Sequence, residues 1–504
     1  MDCVPARVGS GGKWSWKQSI DRPWRILWKG ENRMLRDVRH VVTDGLLGLA
    51  KNQGTGVSVK IGPSPVASSD PVLITGSMSA DKIKNWLGLS PLADKVMDSV
   101  ENGASQILCI PVAASTAGTI SEVKADAVGA GTVAVTGTPT NAFQLQVRMT
   151  GKGGLNTAAF QYSLNGGYSF SDEITVPAGG KYTIDEAQLQ LTFSTAESAE
   201  FEIGDVFQAV TTAPKMTNQD ILAAVEKLKD IVTTYEYLHI VGETEPDLWA
   251  AISEKQKELK EKWHKPIFII LEAYEKGQES MEDYVTKLEK DRKAVANYDI
   301  QVVTARASYT SLDGFTRDTN MAGIVAGLYA RVAVNKSIGE TAVISLPENK
   351  VKKLLPVEIS AEYIERMDAA GYLTFRTYDG LEGYYVTNAR MMGPEGTDYR
   401  YAEDVRVLNK IIRVTRREAL LQLQSDIDLD NVDADLAAKA KFIQAAVEKM
   451  IEAKEISAVT ITVPNGQDIL TDEIFRLIIR YVPRGTIREI VVDLGMENPY
   501  AKTA

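Results

Sequence analysis

Apolar runs of strand length alternate with amphipathic, helix-length stretches in two separated parts of this chain, and a different pattern lies between them. In residues 56–115, Val57-Ser58-Val59-Lys60-Ile61 alternates and Pro71-Val72-Leu73-Ile74-Thr75 reads as a short buried strand. Ser79 with Asp81 can cap a helix reaching about Val100. Gln106-Ile107-Leu108-Cys109-Ile110-Pro111-Val112 is apolar almost throughout, as a strand covered on both faces would be, which makes Cys109 a core residue. From about Gly118 to Ala213 the chain turns to Thr, Ser, Gly and Ala, with clean alternation in Phe143-Gln144-Leu145-Gln146-Val147-Arg148-Met149 and Leu189-Gln190-Leu191-Thr192-Phe193. Turn signals at Asn165-Gly166-Gly167, Gly179-Gly180 and Gly204-Asp205 separate such strands, so this part is a small antiparallel, sandwich-like β domain.

Beyond Pro214 the first pattern returns. Helices capped near Thr217, opening near Asp247 and starting at Ser280 precede the strands Tyr235-Glu236-Tyr237-Leu238-His239-Ile240-Val241, Pro266-Ile267-Phe268-Ile269-Ile270-Leu271 and Ile300-Gln301-Val302-Val303-Thr304. Strands joined by crossover helices imply a largely parallel sheet with right-handed connections. Residues 118–213 are therefore an insertion in one α/β domain built from 56–117 and 214–340. A helix from about Asn320 to Val334, with Ala322, Gly323, Ala326 and Gly327 permitting close packing, ends that domain. Residues 341–485 read as α+β: a helix capped at Ser360, paired strands at Tyr372-Leu373-Thr374-Phe375-Arg376 and Tyr384-Tyr385-Val386-Thr387, long helices from about Tyr401 and Ala434, and strands near Val459 and Ile479.

Two strand-like segments have no partner in this scheme. Thr486-Ile487-Arg488-Glu489-Ile490-Val491-Val492-Asp493-Leu494 opens the last segment, 486–504, and Val38-Arg39-His40-Val41-Val42-Thr43 lies in 35–55. Unpaired strand backbone is a template for pairing with another chain. Ile487, Ile490 and Val492 cannot share one face under strict alternation, so the terminal strand needs a bulge or burial on both faces. Residues 1–34 carry Trp14, Trp16, Trp24 and Trp28 among basic side chains without helical period; they read as an upstream extension with no packed role, the alternative being an aromatic and basic arm for membrane or nucleic acid, and Met34 would make a natural start directly before the first strand.

Composition narrows the function classes. The 504 residues carry a formal charge of −11, which disfavours a general nucleic-acid binder. With two cysteines, Cys3 and Cys109, in unrelated contexts, disulfides hold no framework. The sequence has no apolar run of membrane-spanning length and no signal-peptide pattern at its start, so direct membrane insertion and general-route secretion are not expected.

Catalytic and metal-binding patterns are weak. His40, His239 and His264 lack metal-ligand spacing. Gly9-Ser10-Gly11-Gly12-Lys13 has Arg7 where a phosphate loop needs its first glycine and Trp14 where it needs Ser or Thr. Asp426, Asp428 and Asp430 open like a calcium loop, but Asn431 replaces the required glycine and Ala437 the bidentate glutamate. No cofactor or metal is expected. An α/β enzyme would need a cleft near Glu272 or Arg306, and a surface-binding protein would act through 118–213.

The order of parts resembles the contractile tail sheath proteins of phages and phage-tail-like injection machines from Met34 onward. The resemblance rests on Thr43-Asp44-Gly45, Phe201-Glu202-Ile203-Gly204-Asp205-Val206-Phe207, Ala322-Gly323-Ile324-Val325-Ala326-Gly327, Tyr385-Val386-Thr387-Asn388-Ala389-Arg390, the Arg-rich helix from Val405 to Leu423, and the closing strand. It implies a non-enzymatic subunit that stacks as hexameric rings around an inner tail tube, with baseplate and tail-terminator proteins at the ends. It also implies an outward-facing insertion and a location in a virion tail or similar particle assembled in the host bacterial cytoplasm. Its arms would add strands to neighbouring copies, through Val38, His40, Val41 and Val42 at one end and Ile487, Ile490, Val491, Val492 and Leu494 at the other. Arg406, Lys410, Arg413 and Arg417, spaced 4, 3 and 4 apart, share one helical face and form the candidate tube-facing stripe.

Overall fold

The computed structural model describes residues 55–497, apart from 67, 69, 197 and 198. The strand expected at Val38–Thr43, with the rest of residues 1–54, and the last seven residues lie outside that range.

Strands β1 (Ser58–Pro63), β2 (Val72–Thr75) and β3 (Gln106–Val112) form one side of the main sheet. Helices α1 (Ala80–Leu87) and α2 (Pro91–Glu101) link β2 to β3 where the hydrophobic pattern reads as one helix. The break has two local causes. Gly88 takes φ +69, a left-handed conformation suited to a helix end, and Ser90 then caps a new helix by accepting from Ala93 N, with Pro91 in its first turn.

The next strands are β4 (Lys124–Asp126), β5 (Thr132–Gly137), β6 (Gln144–Gly151), β7 (Ala159–Ser163), β8 (Ile174–Thr175), β9 (Lys181–Ile184), β10 (Leu189–Ser194) and β11 (Val206–Val210). They pair antiparallel in a three-stranded sheet, β5-β10-β9, and a five-stranded sheet, β4-β11-β6-β7-β8. Phe143, Leu145, Val147, Met149, Phe160, Leu191, Phe193, Phe201 and Phe207 share one core, as period-2 alternation requires.

Helix α3 (Asn218–Glu226), opened by a Thr217–Asp220 capping box, leads to β12 (Tyr237–Thr244); α4 (Pro246–Glu261) leads to β13 (Phe268–Ala273); α5 (Met281–Asp291) leads to β14 (Ile300–Val303). The main sheet runs β14-β13-β12-β1-β3-β2, parallel except for β2, which is antiparallel to β3. One face, with Val59, Ile61, Leu238, Ile240, Ile269 and Leu271, packs in a core with residues of α3, α4 and α5.

A hairpin of β15 (Arg306–Thr310) and β16 (Thr316–Asn320) precedes α6 (Ala322–Arg331). Helices α2 and α6 cover the other face of the sheet. A Cβ at Gly327 would lie 2.6 Å from the Ser99 carbonyl oxygen, so glycine is what lets the two helices approach.

The remaining elements are β17 (Val351–Leu355), α7 (Ala361–Ala369), β18 (Phe375–Tyr378), β19 (Leu381–Val386), α8 (Ala402–Leu420), α9 (Val432–Glu452), β20 (Ile456–Thr462), α10 (Ile469–Asp472) and β21 (Ile478–Pro483). Helices α8 and α9 close a core of Val407, Ile411, Val414, Val447, Met450 and Ile456. Among the described residues, strands β20 and β21 pair only with each other, leaving one open edge on each.

Candidate assembly surface

The chain beyond β21 forms no helix or strand as far as Glu497. Its apolar residues face solvent: Ile487 is 79 % exposed, Ile490 77 %, Val491 76 %, Val492 67 % and Leu494 91 %. So many large apolar side chains in one short stretch cost hydration free energy that burial would recover, at about 25 cal/mol per Å². Among the described residues its backbone pairs with no strand, although the β20–β21 hairpin has open edges.

The basic stripe on α8 is corrected by the structure. Arg406 is wholly buried: its Nε donates to Glu236 Oε1 at 2.6 Å and its Nη2 to the Tyr329 carbonyl oxygen at 2.8 Å. Glu236 also accepts from Gly56 N at 2.6 Å. Burial pushes the Glu236 carboxyl up, but Arg406 outweighs it and holds the pKa below the ordinary value. Lys410 pairs with Glu455 at 2.5 Å, also largely buried. Arg413 Nη1 donates to the Pro266 carbonyl oxygen at 3.1 Å, while its shielded Nε and Nη2 have no partner among the described residues. Burial lowers the Arg413 pKa. Arg417 alone of the four is well exposed, its side chain at 51 %, beside Glu418.

The periodicity placed these residues on one helical face, but three of them point into the protein. Asn409, on the same side, donates to Asp299 Oδ1 at 2.9 Å. Glu236, Pro266 and Asp299 lie in the segments leading into β12, β13 and β14, so α8 is tied across the amino ends of three parallel strands. It is a structural lock on the α/β core, a role visible only once partners remote in sequence are known.

The residues nominated for an enzyme reading fall at the core and at the opposite, carboxyl, ends of the strands. Cys109, Lys60, His239, Ile270 and Gln301 stand in register across β3, β1, β12, β13 and β14. Lys60 Nζ lies 2.6 Å from His239 Nδ1, and His239 Nε2 lies 2.9 Å from Glu272 Oε1. With the ring neutral and its proton on Nε2, His239 donates to Glu272 and accepts from Lys60, which satisfies both nitrogens. Burial, reinforced by Lys60, drives the His239 pKa down to about 3, and burial lowers Lys60 to about 7. At Glu272 burial acts upward but Lys95 and the His239 hydrogen bond bring it to about 2; burial raises the Cys109 thiol to about 12. The group is closed to solvent. Arg306 is ion-paired with Glu275. The stem of the inserted β domain, bridged at Thr116 and Lys215, reaches these carboxyl ends, where Lys215 pairs with Glu243 at 2.9 Å. Substrates of open α/β enzymes usually lie at that end of the sheet.

His264, at φ +52, sits on the wall of a cavity of about 470 Å³ with Trp263, Lys265 and Arg413. Asp426, Asp428 and Asp430 are exposed in the α8–α9 connection, and no metal-holding cluster occurs among the described residues.

A family model described as DUF2586, N-terminal domain, matches residues 35–390, and its companion, DUF2586, C-terminal domain, matches 398–501. The chain belongs to the DUF2586 family. No curated protein matches this DUF2586 chain. Among solved structures, the PVC sheath complex of an extracellular contractile injection system, in its contracted state, aligns with a TM-score of 0.51 at 12 % identity, covering 92 % of this chain and 99 % of that one. The sheath tail protein of Desulfitobacterium hafniense aligns at 14 % identity over 85 % of this chain and 93 % of its own, TM-score 0.46. That of Listeria innocua aligns at 14 % identity over 81 % and 88 %, TM-score 0.44. At such identities the likeness is one of fold. The DUF2586 chain is thus similar in fold to a contractile sheath, the resemblance its order of elements implies.

Proposed function

We propose that this protein is the structural, non-enzymatic subunit of a contractile tail sheath. Copies stack as hexameric rings around an inner tube, between baseplate and terminator proteins, and rearrange to drive the tube through a target envelope. The particle is a virion tail or a phage-tail-like machine, assembled in the host bacterial cytoplasm. The observation that carries this reading is the segment 486–497, rich in apolar residues, exposed and without a strand partner among the described residues, on a chain of sheath-like fold.

In this reading Ile487, Ile490, Val491, Val492 and Leu494 add a strand to the open edge of a neighbour's sheet, and Val38, His40, Val41 and Val42 act likewise from the other end. Main-chain hydrogen bonds supply affinity and alternating side chains set register. Several such bonds at ~0.5 to 1.5 kcal/mol each hold neighbours together while rigid cores slide. The sealed Lys60–His239–Glu272 group and the stem over the carboxyl strand ends support a mechanical rather than a catalytic core. Of the proposed tube-facing stripe, Arg417 is the member still available for an acidic partner.

Negative-stain electron microscopy of the purified full chain tests the reading. Ribbed hollow cylinders are expected. A strictly monomeric protein under all assembly conditions, or one that turns over a substrate, would defeat it.

A further inference from the structure

Asn388 and Arg390 belong to the connection after β19, and together with Tyr401 and Glu403 they form a socket for one side chain of the terminal segment. Asp368 accepts from Asn388 Nδ2 at 3.1 Å and from Arg390 Nη2 at 2.8 Å, so both residues are held in place. The Arg390 guanidinium lies over the Tyr401 ring at 5.0 Å. Arg488 completes the arrangement: its Cζ is 3.9 Å from the centre of the same ring, its Nη1 donates to Asn388 Oδ1 at 3.2 Å, and its Nη2 donates to Glu403 Oε1. The Glu403 side chain is 4 % exposed, and its Oε2 has no partner among the described residues.

Arg488 is the only side chain in 486–497 with a hydrogen bond, ion pair or ring contact among the described residues. Ile487 and Glu489 beside it are exposed, as is everything beyond. The segment is therefore tied at a single point, three residues past Gly485, where the chain has left β21. A fork of N–H groups stacked on an aromatic ring and aimed at a buried carboxylate is a geometry that only arginine supplies.

Resting on the sheath reading, we propose that Arg488 is a positioning residue: its socket of Asn388, Tyr401 and Glu403 fixes where and in which direction the C-terminal segment leaves the subunit, so that the apolar residues after it are presented to a second copy. A segment free to swivel from the end of β21 would meet a neighbour's sheet edge at a lower effective concentration and pay the ordering entropy on contact. The socket removes part of that cost before the neighbour arrives.

Limited proteolysis after Glu489 by a glutamate-specific protease in the unassembled protein, together with electron microscopy of assembly, tests this. In Arg488→Ala that cleavage is faster, on the order of tenfold, and cylinders require a protein concentration higher by a similar factor. Arg488→Lys lies between wild type and Ala. Glu403→Gln speeds cleavage in the same direction without altering the cleaved sequence and adds little on top of Arg488→Ala, because the two act through one contact. Unchanged cleavage in Arg488→Ala and Glu403→Gln overturns the proposal, as do cylinders formed equally well at every concentration. If wild type forms no cylinders, the sheath reading fails, while the cleavage rate still decides whether the socket holds the segment.

Discussion

The face where α8 meets the α/β core and the stretch beyond β21 handle their surfaces in opposite ways. On the first, charges are withdrawn from water and paired: Arg406 with Glu236, Lys410 with Glu455, Asn409 with Asp299. On the second, apolar side chains are left in water and a single arginine holds the chain. The first region is complete within one copy, since breaking the Arg406 or Lys410 pair strands a buried carboxylate, while Asp299 is held by Lys260 as well. In the proposed sheath the second is completed by another chain. A sheath subunit of the proposed kind, keeping its shape while its neighbours move, would need both: a core locked against deformation, and a connection that owes nothing to that core's packing.

The comparison breaks most visibly by removing the second region. Truncation after Gly485 deletes the exposed segment and Arg488 but no part of the buried cores, so cylinder formation is expected to vanish while the thermal midpoint of the monomer stays within a degree or two, roughly the range of a surface change. Sedimentation and calorimetry on the same sample read both. Long cylinders from the truncated chain would show that the segment has no part in assembly.

Removing one partner from the first region should do the reverse. Arg406→Met leaves Glu236 buried without its cation, a loss of about 3 to 5 kcal/mol by denaturant unfolding. Pairing it with Glu236→Leu should recover most of that loss, because two apolar side chains of similar volume avoid the desolvation cost altogether. A single mutant as stable as wild type would mean that the pair does not lock α8 to the strand ends.

The polar row within the sheet sharpens the contrast through pH. Lys60 faces His239 and Cys109 on its flanking strands and lies near Glu272 from β13 and Lys95 and Asp98 from α2. Its folded pKa, about 7, is below the unfolded value, so the unfolded chain binds more protons between the two and stability rises with pH across that window. His239, depressed to about 3, and Glu272, to about 2, contribute stability that is present above their unfolded values and lost as the pH falls through their folded ones. Asp98, raised by burial to about 6, acts oppositely, stabilising below its unfolded value and losing that contribution as the pH rises through 6. The thermal midpoint is therefore expected to climb from pH 7 to about 8.5, above which the buried Cys109 thiol, raised to about 12, opposes it because the unfolded thiol ionises first. Lys60→Met should flatten that climb; an equal slope in the variant would assign it to other groups.

What the sequence reveals divides along the same line. The alternation in Phe143–Met149 and the apolar run at Gln106–Val112 are local consequences of being half-covered or fully covered, so the inserted β sheets and the α/β pattern are legible from them. The hairpin β15–β16 is not, because Thr316-Arg317-Asp318-Thr319-Asn320 has no apolar alternation and Arg317 is held by Asp313 and Asp94. The stripe on α8 fails for a different reason. Spacing tells which residues share a face, but not whether that face meets water or a carboxylate 170 residues earlier. The socket for Arg488 is illegible for the same reason, since Asn388, Tyr401 and Glu403 become a site only through the fold.

Arg417 marks the smallest effect and the boundary between the two regions. It lies on the same face as Arg406 and Arg413 but one turn nearer the helix end, where its guanidinium reaches solvent and pairs with the adjacent Glu418. An exposed pair of that kind contributes at most about 1 kcal/mol and is screened by salt. Arg417→Glu should thus change monomer stability by less than about 0.5 kcal/mol, whereas the same reversal at Arg406 should unfold the protein. Assembly carries the further information: co-assembly with an acidic inner tube should weaken in Arg417→Glu and recover little at high salt, while tube-free cylinders, held by the terminal segment, should form as in wild type. If both kinds of assembly are untouched, the exposed end of α8 takes no part in contact with a tube, and its only function is to continue the helix whose buried face locks the core.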